Sequence, residues 1–378
     1  MAKGEDIKTK NQFLVRKGQF LFSRIDARNG AFGIATDEVD GAIVTNDFPV
    51  YDVDHSIVNP SYFALLTGTD HFFSYCRNFS SGTTNRQRIN EEAFLSFKVP
   101  LPPLSEQGQM VAEYNDRISL SKEYEQKAEK YEQRIKQYLL SELGIKITQT
   151  QTLQGLQFVN YKNISRWAVD YLQNQSILND IKAGKYQPVA FGELIIASQY
   201  GLSEKSGYER VGIPMLRMNN ISRGELDLTD LKYVKLAPGK VGNMLLQDGD
   251  FLFNRTNSKE LVGKAAVFDI EGDYVFASYL IRLRLNTKKV NVYFVNYLFD
   301  SPIIRQQIDM ISRQITGLAN VNLKELCGFL IPLPPLTVQE QVAVHVRELR
   351  GELKAVRADA EWSRREAKST FEAKVFEG

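Results

Sequence analysis

The chain has 378 residues, 43% of them hydrophobic and 24% charged, with a net charge of +2. That length exceeds one ordinary domain, and that composition can bury real cores, which excludes a disordered polypeptide. No apolar run approaches the ~18 residues of a membrane span, and the first ten residues have no hydrophobic core of a secretion signal. Cys76 and Cys327 are too few for a disulfide framework, and His55, His71 and His345 lie too far apart for a local metal motif. A reducing cytoplasm is the expected setting, with no cofactor, no metal and no membrane.

Along the chain, Phe20-Leu21-Phe22 and Ala42-Ile43-Val44 are short β-rich runs separated by Gly, Asn and Asp, and Ser61–Leu66 has a helical pattern. The run Val99-Pro100-Leu101-Pro102-Pro103-Leu104 ends the first mixed region, because prolines cannot continue a ladder or a helix interior but do precede helix starts. About 40 residues without proline follow, and Tyr124, Ala128, Tyr131, Ile135 and Tyr138 form a heptad seam after a break near Ser121. Val189–Ile196 fits a strand or a short helix equally well. Val275-Phe276-Ala277 and Leu280–Leu283 predict strands; Asn291–Phe299 and Ser301–Ser312 predict helices.

A second proline run, Ile331–Leu336, precedes a second long helix. Thr337 and Glu340 stand at capping-box spacing, and Val342, Val346, Leu349, Leu353, Val356 and Ala360 repeat in steps of four and three. Each long helix would reach ~60 Å at 1.5 Å per residue. Neither mixed region obviously supplies that much surface, so the two seams are expected to pack on each other.

The order of elements is a repeat. Lys17-Gly18-Gln19-Phe20-Leu21-Phe22-Ser23-Arg24 returns as Asp248-Gly249-Asp250-Phe251-Leu252-Phe253-Asn254-Arg255. Gln107 and Gln109, after the first proline run, return as Gln339 and Gln341 after the second. A nearly constant offset between matches means two copies of one module. The expected fold class is α+β (mixed), with two such domains joined by two long antiparallel coiled-coil helices. The boundaries fall at residues 1–103, 104–143, 144–336 and 337–378.

Catalytic motifs fail on inspection. Asn59-Pro60-Ser61-Tyr62 approximates the turn with which adenine amino-methyltransferases hold their target, but the second copy reads Asn291-Val292-Tyr293-Phe294. A helix N-cap followed by proline explains the first copy fully. No phosphate-binding glycine loop is present, since Gly263-Lys264 is followed by Ala265. Glu366-Ala367-Lys368 and Glu372-Ala373-Lys374 lack an upstream acid and read as a solvated helix face. No enzyme is expected in this chain.

The polar loops are more informative. The first long helix carries 8 acids and 6 bases and the second carries 8 of each, so the remainder of the chain holds a net +4. Its bases cluster with amides: Arg24, Arg28 and Asn29, then Thr84, Asn85, Arg86 and Arg88 in the first copy. The second copy has Arg217, Asn219 and Asn220, then Arg255, Asn257 and Lys259, then Arg313 and Gln314. Arg, Asn and Gln make paired hydrogen bonds to purine edges in the major groove, while Lys, Ser and Thr hold phosphates. These are the candidate DNA-binding residues. Ordinary solvated loops remain the alternative, and for Arg24 and Arg255, at one equivalent strand end, so does a structural ion pair.

The alternation of mixed domain, PLPPLSEQ, long helix, mixed domain, PLPPLTVQEQ and long helix resembles the specificity subunit of type I restriction–modification systems, over essentially the whole chain. Ile213–Ile221, Gly224–Asp227, Gly249–Phe253 and Gly317–Asn322 add to the resemblance. It implies two target-recognition domains, each reading one half of a split site on double-stranded DNA, and helices that space them and dock DNA methyltransferase subunits. It also implies that a separate restriction and motor subunit supplies ATP-dependent cleavage, with adenine-N6 methylation likewise left to partners. A coiled-coil assembly protein that binds protein or DNA backbone without reading bases is the alternative. Against the second copy, the first lacks about 45 residues ahead of its Phe20–Phe22 strand. The first domain is therefore expected to read weakly or to need a partner chain, including a second copy of this one.

Overall fold

A computed structural model describes residues 12–25, 30–78, 80–81, 88–148, 171, 176–311, 313–315 and 318–377. It divides into two compact units, residues 1–128 with 354–378, and residues 129–353. Helices and short strands alternate in both, so the mixed α+β class holds.

In the first unit, Phe20–Phe22 lies between Phe32–Ile34 and Val50–Tyr51 in an antiparallel sheet. A separate pair joins Gln12–Leu14 to Ile43–Thr45. Phe20, Phe22, Phe72, Cys76 and Ile89 are buried, with Phe32, Phe63, Phe94 and Phe97 packed against them. Phe20 and Phe63 meet edge to face at 4.9 Å between centroids, a geometry the ring quadrupoles favour. Burial pushes the Cys76 thiol up to about 11, so this cysteine is a core side chain and not a nucleophile. Helix Pro60–Thr67 starts at Asn59, whose side chain accepts from Ser61 N at 2.9 Å and Tyr62 N at 3.3 Å. Asn291 caps Val292–Phe299 in the same way, accepting from Tyr293 N and Phe294 N at 3.0 and 3.1 Å. Both Asn positions are therefore helix caps, with or without the proline.

The second unit is larger. Its main sheet is antiparallel, in the order Ala265–Val267, Phe251–Asn254, Leu280–Leu285, Ile195–Tyr200. A second sheet places Ile213–Leu216 between Lys232–Val234 and Val275–Phe276, the latter pairing parallel. The ambiguous segment 189–196 is both things in part: strand Pro188–Ala190, a tight helical turn Phe191–Leu194, then strand Ile195–Tyr200. Phe251 and Phe253 face Phe299 from the sheet, and helices Val292–Phe299 and Pro302–Ile311 close the core.

The two modules reuse one framework. Gly18 and Gly249 both have positive φ, +85° and +81°, where a Cβ would be strained, and each leads into the central Phe-Leu-Phe strand. The next residue then receives a backbone N–H from three positions earlier: Arg16 N donates to Gln19 Oε1 at 2.7 Å, and Gln247 N to Asp250 Oδ2 at 2.9 Å. The chemistry of the pair differs. Asp250 is buried and bound by Arg284 at 2.9 Å, whereas the matching Gln19 donates to Asp52 at 2.8 Å, so an amide–acid pair replaces an ion pair. Val50–Tyr51 is an edge strand among the described residues, although its counterpart Leu280–Leu285 is flanked by Ile195–Tyr200.

The long helices span Leu104–Leu143 and Leu336–Phe376. Within the first unit, the start of the first meets the end of the second: Ser121 Oγ donates to Ala360 O at 2.9 Å, and Tyr114 contacts Phe371. Within the second unit, the end of the first meets the start of the second, with Tyr138 against His345 at 4.4 Å between ring centroids. This is antiparallel pairing. Val342, Val346, Leu349, Leu353, Val356 and Ala360 are all buried, as are Ala128 and Ile135. Ser121, where the apolar rhythm breaks, is itself a buried seam residue whose hydroxyl is satisfied by a carbonyl of the other helix.

Arg24 shows what the first copy does with its strand-end arginine. Its guanidinium pairs with Glu91 and donates to Asn46 O, while Tyr51 donates its hydroxyl to the same Glu91. The hydrogen bond from Tyr51 and the charge and donors of Arg24 hold the Glu91 carboxyl below its ordinary value, and burial with the Glu91 contact pushes the Tyr51 hydroxyl up to about 12. A depressed carboxyl stabilises the fold above the ordinary glutamate pKa, about 4.3, and that stabilisation is lost as pH falls through the lowered value. Melting of Glu91→Gln and wild type should therefore differ at neutral pH and converge in acid; a difference that persists unchanged to low pH would contradict this.

Candidate nucleic-acid interface

Three segments far apart in sequence form one small sheet in the second unit. Thr256–Asn257 pairs with Leu318–Asn320, which pairs on its other side with Arg313–Ile315. The register sets Thr256, Asn320 and Arg313 in one cross-strand row and Asn257, Ala319 and Gln314 in the next. The backbone register thus brings Asn257 and Gln314, expected from separate polar loops, into one row, with Arg313 in the next.

Arg255 stands at the base of this ribbon. Its backbone is held on both sides, N donating to Tyr279 O and O accepting from Val321 N, each at 2.9 Å. Arg24 has the same socket, N to Asp47 O at 2.8 Å and Ile89 N to its own O at 2.9 Å. The side chains part company. Arg255 reaches Asn320 Oδ1 at 3.3 Å and lies over the Tyr200 ring at 5.2 Å, while its Nε is buried without a hydrogen-bond partner. Among the described residues it has no carboxylate like Glu91 against it. Tyr200, Tyr279 and Leu318 are exposed around it, at 42%, 47% and 48%. Asn257 is half-buried, its Oδ1 accepting from Ser258 N at 2.9 Å, and Lys259 is half-buried nearby in sequence.

The remaining candidates separate into two groups. Arg217 and Asn220 build the fold: Arg217 pairs with Asp230 at 2.8 Å, and the buried Asn220 donates to Asp227 O and Asp230 O at 2.8 and 3.0 Å. Asn220 Oδ1 also accepts from Arg217 N at 2.9 Å, closing a turn between Ile213–Leu216 and the Ile221–Ser222 hairpin. Asn219 between them is exposed. In the first unit, Arg24 is engaged with Glu91, and Arg88 lies in a short pair with Ser81. Arg28, Asn29, Thr84, Asn85 and Arg86 lie outside the described residues.

Sequence reasoning missed Tyr200, Tyr279 and Asn320, whose signal is only spatial. It also missed the loop after Tyr200, where Lys205, Tyr208, Val211, Tyr233 and Lys235 line an open groove and the Lys232 ammonium sits 4.7 Å from the Tyr208 ring. Reciprocal backbone bonds between Gly207 and Tyr233, at 3.0 and 2.7 Å, pin this loop. Lysines with exposed tyrosines suit a phosphate backbone more than a metal or a small apolar ligand. Among the described residues, no group of three or more His, Cys, Asp or Glu could hold a metal ion, and no helix is long and apolar enough to cross a membrane.

Comparison with known proteins accounts for the repeated framework. The family model for the type I restriction modification DNA specificity domain matches residues 2–130 and 184–349, one match for each module. The chain is similar to the type I restriction enzyme EcoKI specificity subunit of Escherichia coli K12, 23% identical over 78% of this chain and 59% of that protein. It is similar to the StySPI specificity subunit of Salmonella potsdam at 21% identity over 77% of this chain and 58% of that protein. A MjaX specificity subunit of Methanocaldococcus jannaschii is 26% identical over half of this chain and 42% of its own length. The chain thus spans about half the length of these relatives. A solved structure described as the structural basis of complex assembly and conformational transition of the type I R-M system shares the fold, with a TM-score of 0.59 and 15% identity over 98% of this chain and 84% of that one. With both modules matched by the family model, the chain belongs to the type I restriction modification DNA specificity domain family.

Proposed function

We propose that this chain is the non-catalytic, cytoplasmic subunit that reads DNA sequence for a type I restriction–modification complex. Each module would face one part of a bipartite site on double-stranded DNA. The paired long helices would dock DNA methyltransferase subunits, and a restriction and motor subunit would act on the assembled complex. The observation that carries this reading is the ribbon of the second module, where Asn257 and Gln314 share one cross-strand row and Arg313 stands in the next, beside Arg255, which bonds Asn320 and lies over the Tyr200 ring. A major groove about 12 Å wide admits two strands of such a ribbon, and Arg, Asn and Gln are the side chains that tell purines apart there. Lysines of the Tyr208 groove would hold phosphates and add affinity without sequence preference.

Mapping methylated bases in cells that express this chain with its methyltransferase tests the proposal. A defined motif that disappears when the ribbon residues are replaced is the expected result. Methylation with no motif, or a motif indifferent to the ribbon, would contradict it.

A further inference from the structure

Each proline run is followed by a wholly buried glutamine, Gln107 in the first module and Gln339 in the second, both 0% exposed. Gln107 Oε1 accepts from Asn59 N at 2.8 Å, and its Nε2 donates to Ile57 O at 3.0 Å and Pro102 O at 2.7 Å. Gln339 Oε1 accepts from Asn291 N at 2.8 Å, and its Nε2 donates to Lys289 O at 3.2 Å and Pro334 O at 2.8 Å. All three arms correspond between the modules. Each glutamine sits in the first turn of a long helix, and each Asn whose N–H it takes is the N-cap of a domain helix.

One side-chain amide therefore ties three backbone segments together: the loop before the domain helix, the cap of that helix, and the proline run that leads into the long helix. Pro103 O and Pro335 O accept from N–H groups in the first turns of the long helices, while the preceding carbonyls, Pro102 O and Pro334 O, take the glutamine amides. Swinging or rotating the long helix against its own domain would break buried hydrogen bonds on both sides of the amide at once, and a fully satisfied buried polar network specifies one arrangement. An apolar residue could fill the same volume but would hold no particular angle.

We infer that Gln107 and Gln339 are positioning residues that set the direction in which each long helix leaves its recognition domain, and so set how strictly the complex measures the spacer between half-sites. The spacer part rests on the DNA-reading function proposed above; the orientation part does not.

The test uses the full chain, with spin labels at Val344→Cys on the second long helix and Ile196→Cys on the second module, both exposed positions, in a Cys327→Ser background. Gln339→Ala should broaden the distance distribution between these labels. With the methyltransferase bound, discrimination against a spacer altered by one base pair should fall about tenfold, the equivalent of 1.4 kcal/mol of lost orientation, while the half-site sequence stays the same. An unchanged distance distribution in the folded variant overturns the orienting role. Broadened distances with undiminished spacer discrimination overturn the link to spacing. Should Gln339→Ala fail to fold, Gln339→Met, which keeps the volume without the amide, carries the same readouts. If the wild-type complex itself shows no sequence preference, the DNA reading fails, and the distance measurement still decides the clamp.

Discussion

Leu353→Asp is expected to cost about 3–5 kcal/mol and to abolish copurification with a methyltransferase partner. Leu353 is 7% exposed in the seam of the second long helix, between the buried Leu349 and Val356. A carboxylate there sits in a seam of buried aliphatic side chains, and it must either carry a buried charge or take up a proton. The helices are held mainly by that apolar stripe, because the ion pairs that flank it, such as Arg364 with Glu125 and Lys374 with Glu113, are exposed and contribute little each. Loss of the seam should separate the helices and remove the surface on which a partner would dock. Circular dichroism melting and pull-down with the methyltransferase read the two effects. Unchanged melting together with intact complex formation would contradict the packing role.

Asn257→Ala and Arg313→Ala should each cost about 1–3 kcal/mol at one base position and relax the preference there, leaving affinity for random DNA nearly unchanged. They occupy adjacent cross-strand rows, and adjacent rows alternate between the two faces of a sheet, so a double variant should show simple addition and not coupling. Arg255 differs, because it bonds Asn320 and stacks on Tyr200 as well as offering its charge. Arg255→Lys should therefore disturb the ribbon itself and weaken reading at more than one position, since a lysine cannot reproduce a planar fork. Binding to a panel of single-base variants of the motif separates these patterns. A uniform loss across all DNA sequences for Asn257→Ala or Arg313→Ala would show that they hold phosphate only.

Much of the architecture was legible in the chain because it is written twice. The matching Phe-Leu-Phe strands, proline runs and glutamines announced two modules, and the steps of four and three announced the seam, down to the break at Ser121 that proves to be a hydrogen-bonded seam residue. Polar loops were harder to sort. Arg24 and Arg255 hold equivalent sockets, yet the first pairs with Glu91 and the second bonds Asn320, and the proximity of Glu91 depends on how a distant helix start returns to the strand. Arg217 and Asn220 have the composition of a DNA-reading loop, but Asp227 and Asp230 turn them inward. In both cases residue type was readable and the partner was not, because the partner is set by tertiary closure. The ribbon has the same origin: Asn257 and Gln314 are brought opposite one Ala319 by pairing that no local pattern encodes.

Competition binding at two salt concentrations tests most directly whether this chain reads bases. The full chain with its methyltransferase is titrated with DNA carrying the mapped motif and with scrambled DNA of equal length. Phosphate contacts weaken both as salt rises, whereas base contacts preserve the ratio between them. The ratio is expected to stay large, about a thousandfold or more, as absolute affinity falls. A ratio near one at either salt concentration, or one that collapses together with the affinity, would contradict it.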